Sequence, residues 1–292
     1  MNPSLYGILP AVVTPLKSDH TLNTAALEKL LAYLYENGCH GVYLCGSTGE
    51  GVLLPASTRR QIVEVAARNT PSGRQMIVHV GAWSPDESYE LARHAEKHGA
   101  AAVSCIRPQN VCFNEMLELY RGLATATALP FLAYYFPSNP EEHLNIDQLE
   151  QVCALPGVAG LKYTDYDLFT LSLLIRQGKT VFYGRDEMLA AGLLMGAGGG
   201  IGSIYNVVPK WFVGLYDHAR AGRWAEAKVL QDRINDLIRV LVALPFMSAL
   251  KRALDWQGHD CGPAAAPRLP LTAAQEARLI SALEALPELP KA

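Results

Sequence analysis

The feature that most constrains this chain is a repeat of pattern. Short β-rich runs alternate with longer helical periodicities at a spacing of roughly 25–30 residues. The runs are 7–14, 41–45, 75–80, 100–106, 130–135, 157–162, 180–183 and 199–203. Helical patterns follow them at about 24–37, 56–69, 85–98, 114–126, 146–154, 168–177, 187–196 and 209–221. Thr24 is read as the N-cap of the first helix, and Gly38 stops it. Eight β-then-α units in about 220 residues fit an α/β fold of the (β/α)8 TIM-barrel type better than a doubly wound sheet. Residues 223–292 read all-helical, at about 223–244, 245–257 and 273–286, with a Pro/Ala/Gly-rich linker at 258–270. The expectation is a barrel over 1–222 and a C-terminal helical extension over 223–292, packed on it as one structural unit.

Barrel enzymes work at the C-terminal ends of their strands, so the strand ends are where function should lie. The sixth run, Gly157-Val-Ala-Gly-Leu161, closes on Lys162, whereas the other eight lysines fall in loops, on helix faces or at a strand start. A lysine there is poorly hydrated, which disfavours the ammonium form. A neutral amine attacks a ketone and forms a Schiff base. The bland alternative is an amine that snorkels into water.

Other strand ends add groups that suit such chemistry. Gly46-Ser-Thr-Gly-Glu50 follows the second run, and its glycines give a tight turn able to converge on a small anion. Ser47 and Thr48 are therefore candidates to hold a carboxylate. The fifth run ends at Tyr134-Tyr135-Phe136-Pro137. Tyr134 is the candidate proton shuttle, and Tyr135 reads as a core aromatic. The seventh ends at Gly184-Arg-Asp186-Glu187, where N-capping alone would explain Asp186 and polyol recognition would use both carboxylates.

Several functions are disfavoured. The net charge is -3 and no basic run occurs, which gives no electrostatic case for nucleic acid or an anionic membrane. No apolar stretch reaches the roughly 18 residues a membrane span needs, and the N-terminus lacks a signal-peptide pattern. A cytoplasmic location is expected. The six cysteines form no CxxC pair, so neither disulfides nor a zinc site is expected from them. His94 and His98 have metal-ligand spacing, but Ala-Glu-Lys between them is not the zincin order and no third ligand is apparent. They read as a solvated helix face. The glycines at 196–202 lack GxGxxG, and no P-loop, GxSxG or HExxH occurs. Chemistry without a metal or cofactor is expected, which an amine nucleophile permits.

GSTGE, Tyr-x-x-Pro, Gly-Leu-Lys-x-Thr and GGIGSxYN occur in that order, after a Gly-Ile-Leu-Pro-Ala-x-x-Thr-Pro start. This set resembles the dihydrodipicolinate synthase/N-acetylneuraminate lyase family over nearly the whole chain. The resemblance implies a class I, pyruvate-dependent aldolase acting on a 2-oxo acid, in a homotetramer. Ser47-Thr48, Thr164, Gly184, Asp186, Glu187 and the strand-eight pair Gly202-Ser203 match the lyase branch. That implies Lys162 and Tyr134 as catalytic residues and the others as substrate-binding ones. Asn139 stands where the synthases have an arginine for a dicarboxylic ligand, which argues against synthase activity. Two positions depart: Tyr135 replaces an asparagine, and Asn110 replaces a tyrosine that family members lend to a neighbouring subunit. The implied reaction is cleavage of N-acetylneuraminate. The alternatives are a 2-keto-3-deoxygluconate-type aldolase, an imine-forming dehydratase or deaminase, or a 2-oxo-acid-binding barrel without turnover.

Overall fold

The computed structural model of the protein describes residues 5–289; the first four residues, part of the stretch read above for a signal peptide, lie outside them. In chain order the barrel elements are β1 (Gly7–Pro10), α1 (Thr24–Glu36), β2 (Gly41–Leu44), α2 (Ala56–Asn69), β3 (Gln75–His79) and α3 (Pro85–Lys97). Then come β4 (Ala102–Ile106), α4 (Phe113–Ala126), β5 (Phe131–Tyr135), α5 (Ile146–Ala154), β6 (Val158–Tyr163) and α6 (Leu168–Ile175). The last units are β7 (Thr180–Tyr183), α7 (Leu189–Leu194), β8 (Gly199–Gly202) and α8 (Pro209–Arg220). The strands pair in parallel in chain order, and β8 returns to β1. A bridge from Ala11 to Tyr43 closes the ring, with the Val12 N–H donating to the Tyr43 carbonyl at 2.9 Å. This is a (β/α)8 TIM barrel with C-terminal helices α9 (Trp224–Val242), α10 (Phe246–Trp256) and α11 (Ala273–Ala285).

Side chains alternate along each strand, which divides them between two cores. Leu9, Tyr43, Ile77, Leu132, Phe182 and Ile201 fill the barrel interior. Val42, Val78, Ala133, Leu161 and Tyr163 belong to the layer between strands and helices. Because Leu161 and Tyr163 point outward, Lys162 points to the barrel axis. The same alternation sends Tyr134 inward and Tyr135 outward, where its hydroxyl accepts from the Leu144 N–H at 3.2 Å.

The structure departs from the pattern in three places. The first strand stops at Pro10 instead of running to Thr14, because Asn206 takes over the backbone beyond it. Its Nδ2 donates to the Ala11 carbonyl at 2.8 Å and its Oδ1 accepts from the Val13 N–H at 3.3 Å. The N-cap of α1 is Asn23, not Thr24; its side chain accepts from the Ala26 N–H. The seventh helix is split into a 3-10 turn, Asp186–Met188, and the short α7, and no side chain caps either.

The C-terminal helices reach back to the strand ends. From α9, Gln231 donates to the Asp186 carbonyl at 2.9 Å and accepts from the Ala190 N–H at 2.9 Å. From α10, Lys251 meets the buried carboxylate of Glu50 at 2.9 Å. Among the described residues no helix is long and apolar enough to cross a membrane.

Candidate active site

Lys162 is 5 % exposed at the end of β6. Its Nζ lies 3.6 Å from the ring centroid of Tyr134 and 5.6 Å from that of Tyr43. It also donates to Thr164 Oγ1 at 3.5 Å. Among the described residues no carboxylate forms an ion pair with it. Aromatic faces surround the Nζ, an arrangement that suits the positive charge of a protonated imine.

Register explains why these groups meet. Tyr134 on β5 is the direct parallel partner of Lys162, as Phe182 on β7 is on the other side. Two glycines then make room along the rim. A Cβ on Gly184 would sit 1.9 Å from Thr164 Oγ1, and one on Gly202 would sit 1.8 Å from Asp186 Oδ1. Neither position can carry a side chain while those polar groups keep their places.

The GSTGE loop is fixed from both sides. Thr14 Oγ1 donates to the Gly49 carbonyl at 2.6 Å, and the Gly51 N–H to the Gly46 carbonyl at 3.1 Å. Thr48 is 7 % exposed, with its hydroxyl 2.6 Å from Ser203 Oγ, which ties the loop to the end of β8. Ser47 is exposed at the turn. Glu50 does not face the site. It is buried beneath the loop in a left-handed conformation (φ 55°), against Lys251, Arg268 at 3.0 Å and the Ala265 N–H at 3.0 Å.

The two carboxylates after β7 differ. Asp186 is buried, and its Oδ2 accepts from the Ile204 N–H at 2.8 Å while Oδ1 has no partner among the described residues. Burial raises its pKa to about 7, against the pull of that hydrogen bond and of Lys162. The N-cap explanation of Asp186 therefore fails: one oxygen is taken at β8's exit and no side chain caps the turn or α7. Glu187 is more open and accepts from the Tyr166 hydroxyl at 2.7 Å.

Several site groups have no counterpart in the sequence reading. His79 on β3 faces the axis, and its Nε2 accepts from the Ile106 N–H at 3.0 Å. Burial, with Arg59 and Lys162 nearby, pushes its pKa down to about 3, so it is neutral. Tyr43 donates to Ser104 Oγ at 3.0 Å, and burial raises its pKa well above the usual phenol value. Phe136 stacks parallel to Tyr134 at 6.2 Å, and the Arg185 guanidinium lies between Phe136 and Tyr166, at 5.4 and 3.9 Å. Period-2 alternation on β2 and β3 was the signal that could have found Tyr43 and His79. Beside this stack a cavity of about 410 Å³ opens, with Ser47, His79, Tyr134, Phe136 and Trp83 on its wall. Lys162, Thr164 and Ser203 are not on that wall.

Asn110 is exposed, with a left-handed backbone (φ 60°). Asparagine adopts that conformation more readily than a bulky side chain does. The departure at this position therefore matches its local backbone.

The sequence profile of the Dihydrodipicolinate synthetase family matches residues 4–286. The chain belongs to this family. An N-acetylneuraminate lyase of Shigella boydii serotype 4 is 34% identical over 261 residues, 88% of each chain. Among solved structures, N-acetylneuraminate lyase from Mycoplasma synoviae superposes with a TM-score of 0.88 at 28% identity, over 96% of this chain and 97% of that one. A dihydrodipicolinic acid synthase family protein from E. coli K12, solved in complex with pyruvate, superposes with a TM-score of 0.90 at 25% identity, over 97% and 98%. As a member of the dihydrodipicolinate synthetase family with such relatives, the chain is an enzyme, a carbon–carbon lyase.

Proposed function

We propose that this enzyme is a Schiff-base lyase that cleaves a 2-keto-3-deoxy sugar acid to pyruvate and an aldehyde sugar, with N-acetylneuraminate as the leading substrate. The observation that carries the proposal is Lys162, an amine on the barrel axis with no carboxylate ion pair among the described residues and 3.6 Å from the Tyr134 ring. The lyases among its relatives support the choice of substrate.

Ser47, Thr48 and their backbone amides hold the carboxylate of the 2-oxo acid. The Lys162 amine adds to the ketone carbon, water leaves, and a protonated imine forms. The bond from the adjacent carbon to the hydroxyl-bearing carbon then breaks, and its electron pair neutralises the iminium to give an enamine. The hydroxyl proton leaves through the Tyr134 oxygen to the substrate carboxylate or solvent, and the aldehyde departs. Protonation of the enamine carbon and hydrolysis release pyruvate and the free amine. Thr164, Gly184, Asp186, Glu187, Gly202 and Ser203 grip the polyhydroxyl tail. Asp186, with its pKa near 7, is able to donate as well as accept there.

Asn110 favours a second reading, in which another 2-keto-3-deoxy acid is the substrate or the same imine serves dehydration or deamination. Rates of pyruvate release from N-acetylneuraminate and from 2-keto-3-deoxygluconate decide between them. Faster release from the first supports the leading reading, and faster release from the second supports the alternative. Pyruvate binding without turnover of any such acid leaves only a ligand-binding barrel. A homotetramer in the cytoplasm belongs to the same proposal, and a monomer by light scattering would contradict the assembly.

A further inference from the structure

The histidine pair read above as a solvated face has a neighbour that the sequence spacing did not show. Glu64, on α2, faces His94 on α3, with the His94 Nε2 3.1 Å from Glu64 Oε1. His98, the C-cap of α3, lies one turn further on, its ring centroid 4.4 Å from that of His94 and tilted by 34°. One ligand atom from each of the three residues lies within 4.8 Å of the other two. All three side chains are partly buried, in the groove between the two helices.

We propose that Glu64, His94 and His98 form a binding site for a borderline divalent transition metal, with Zn²⁺ the best-suited ion and water at the fourth position. Two imidazoles and one carboxylate are a donor set that suits Zn²⁺, Ni²⁺ and Cu²⁺ and is poor for Mg²⁺ or Ca²⁺, which take oxygen ligands. Histidines at i and i+4 project from one face of a helix, so the backbone pre-positions two ligands. The third comes from the adjacent helix of the barrel, which makes the site a clip across α2 and α3. The ligand atoms already lie within 4.8 Å of one another, and none of the three side chains is fully buried. Next to the site, the Arg60 guanidinium pairs with Glu90 at 2.9 Å, which offsets its charge beside the ligands.

The site lies on the outer helical layer and takes no part in the lyase reaction. Zn²⁺ titrated into the metal-free chain by calorimetry is expected to bind at one site per chain in the low-micromolar range. Co²⁺ in its place is expected to give the visible absorption of a four-coordinate ion. His94→Gln, His98→Gln and Glu64→Gln should each weaken binding by more than the roughly 10–100-fold that loss of an outer-shell partner costs. Asp232→Asn, which breaks only the exposed Lys228–Asp232 pair on α9, should leave affinity unchanged. Circular dichroism on each variant checks that it is folded. Binding that persists in His98→Gln and Glu64→Gln, or no one-to-one Zn²⁺ binding at all, overturns the proposal. Neither result bears on the imine at Lys162.

Discussion

The GSTGE loop rests on a charge pair that spans the chain, and Lys251→Met tests what that pair does. Glu50 is fully buried under the GSTGE turn, and its charge is met by Lys251 at 2.9 Å, Arg268 at 3.0 Å and the Ala265 N–H at 3.0 Å. Lys251 is itself buried, and that burial lowers its pKa against the pull of Glu50. Methionine keeps most of the stem's volume, so packing on α10 survives while the charge goes. Removing one member of a buried ion pair costs about 3–5 kcal/mol, because the other is left uncompensated. Arg268 and the Ala265 amide still serve the other carboxylate oxygen, which places the expected loss near the low end, about 3 kcal/mol. For a chain of this size that is roughly a 6–12 °C fall in Tm. Because Glu50 holds the loop that carries Ser47 and Thr48, KM for the 2-oxo acid should also rise. Adding Glu50→Gln to Lys251→Met removes the stranded charge and should recover most of the lost stability. A Lys251→Met protein that melts within about 2 °C of the parent, or a double variant less stable than the single, would refute the reasoning.

Other substitutions probe the rim. Asp186 has a folded pKa of about 7 against a usual 3.8, so its contribution is fully present below pH 3.8 and is lost as pH rises through 7. Asp186→Asn should flatten that decline, worth at most about 4 kcal/mol, in urea melts taken across this window. Tyr134→Phe keeps the ring against Lys162 and removes the hydroxyl. It should retain imine formation with pyruvate while lowering the cleavage rate by roughly 100-fold or more in a single-turnover assay. Asn110→Tyr forces a bulky residue into a left-handed backbone and should cost about 1–2 kcal/mol in denaturant melts without raising kcat.

Much of the barrel was legible because each βα unit carries its own signal. Alternation and helical period are local, and parallel neighbours in chain order follow from the unit count. Lys162 was legible for the same reason, as the polar end of an apolar strand. What escaped depended on contacts between distant parts. Glu50 meets Lys251 across most of the chain, and Asn206 shortens β1 from the exit of β8, its neighbour in the ring but far along the chain. The glutamate beside His94 comes from a neighbouring helix, thirty residues away. His79 and Tyr43 looked like ordinary strand residues until the axis placed them beside the amine. The split at 186–188 was hidden because Asp186 spends its carboxylate on Ile204, on a different strand's exit.

The central claim is that the Lys162 amine is the nucleophile. Borohydride reduction in the presence of pyruvate, followed by peptide mass spectrometry, tests it directly. The account predicts a single reduced pyruvyl adduct on Lys162, loss of activity in step with its formation, and no adduct in Lys162→Ala. An enzyme that stays fully active under these conditions, or an adduct confined to another lysine, would contradict it.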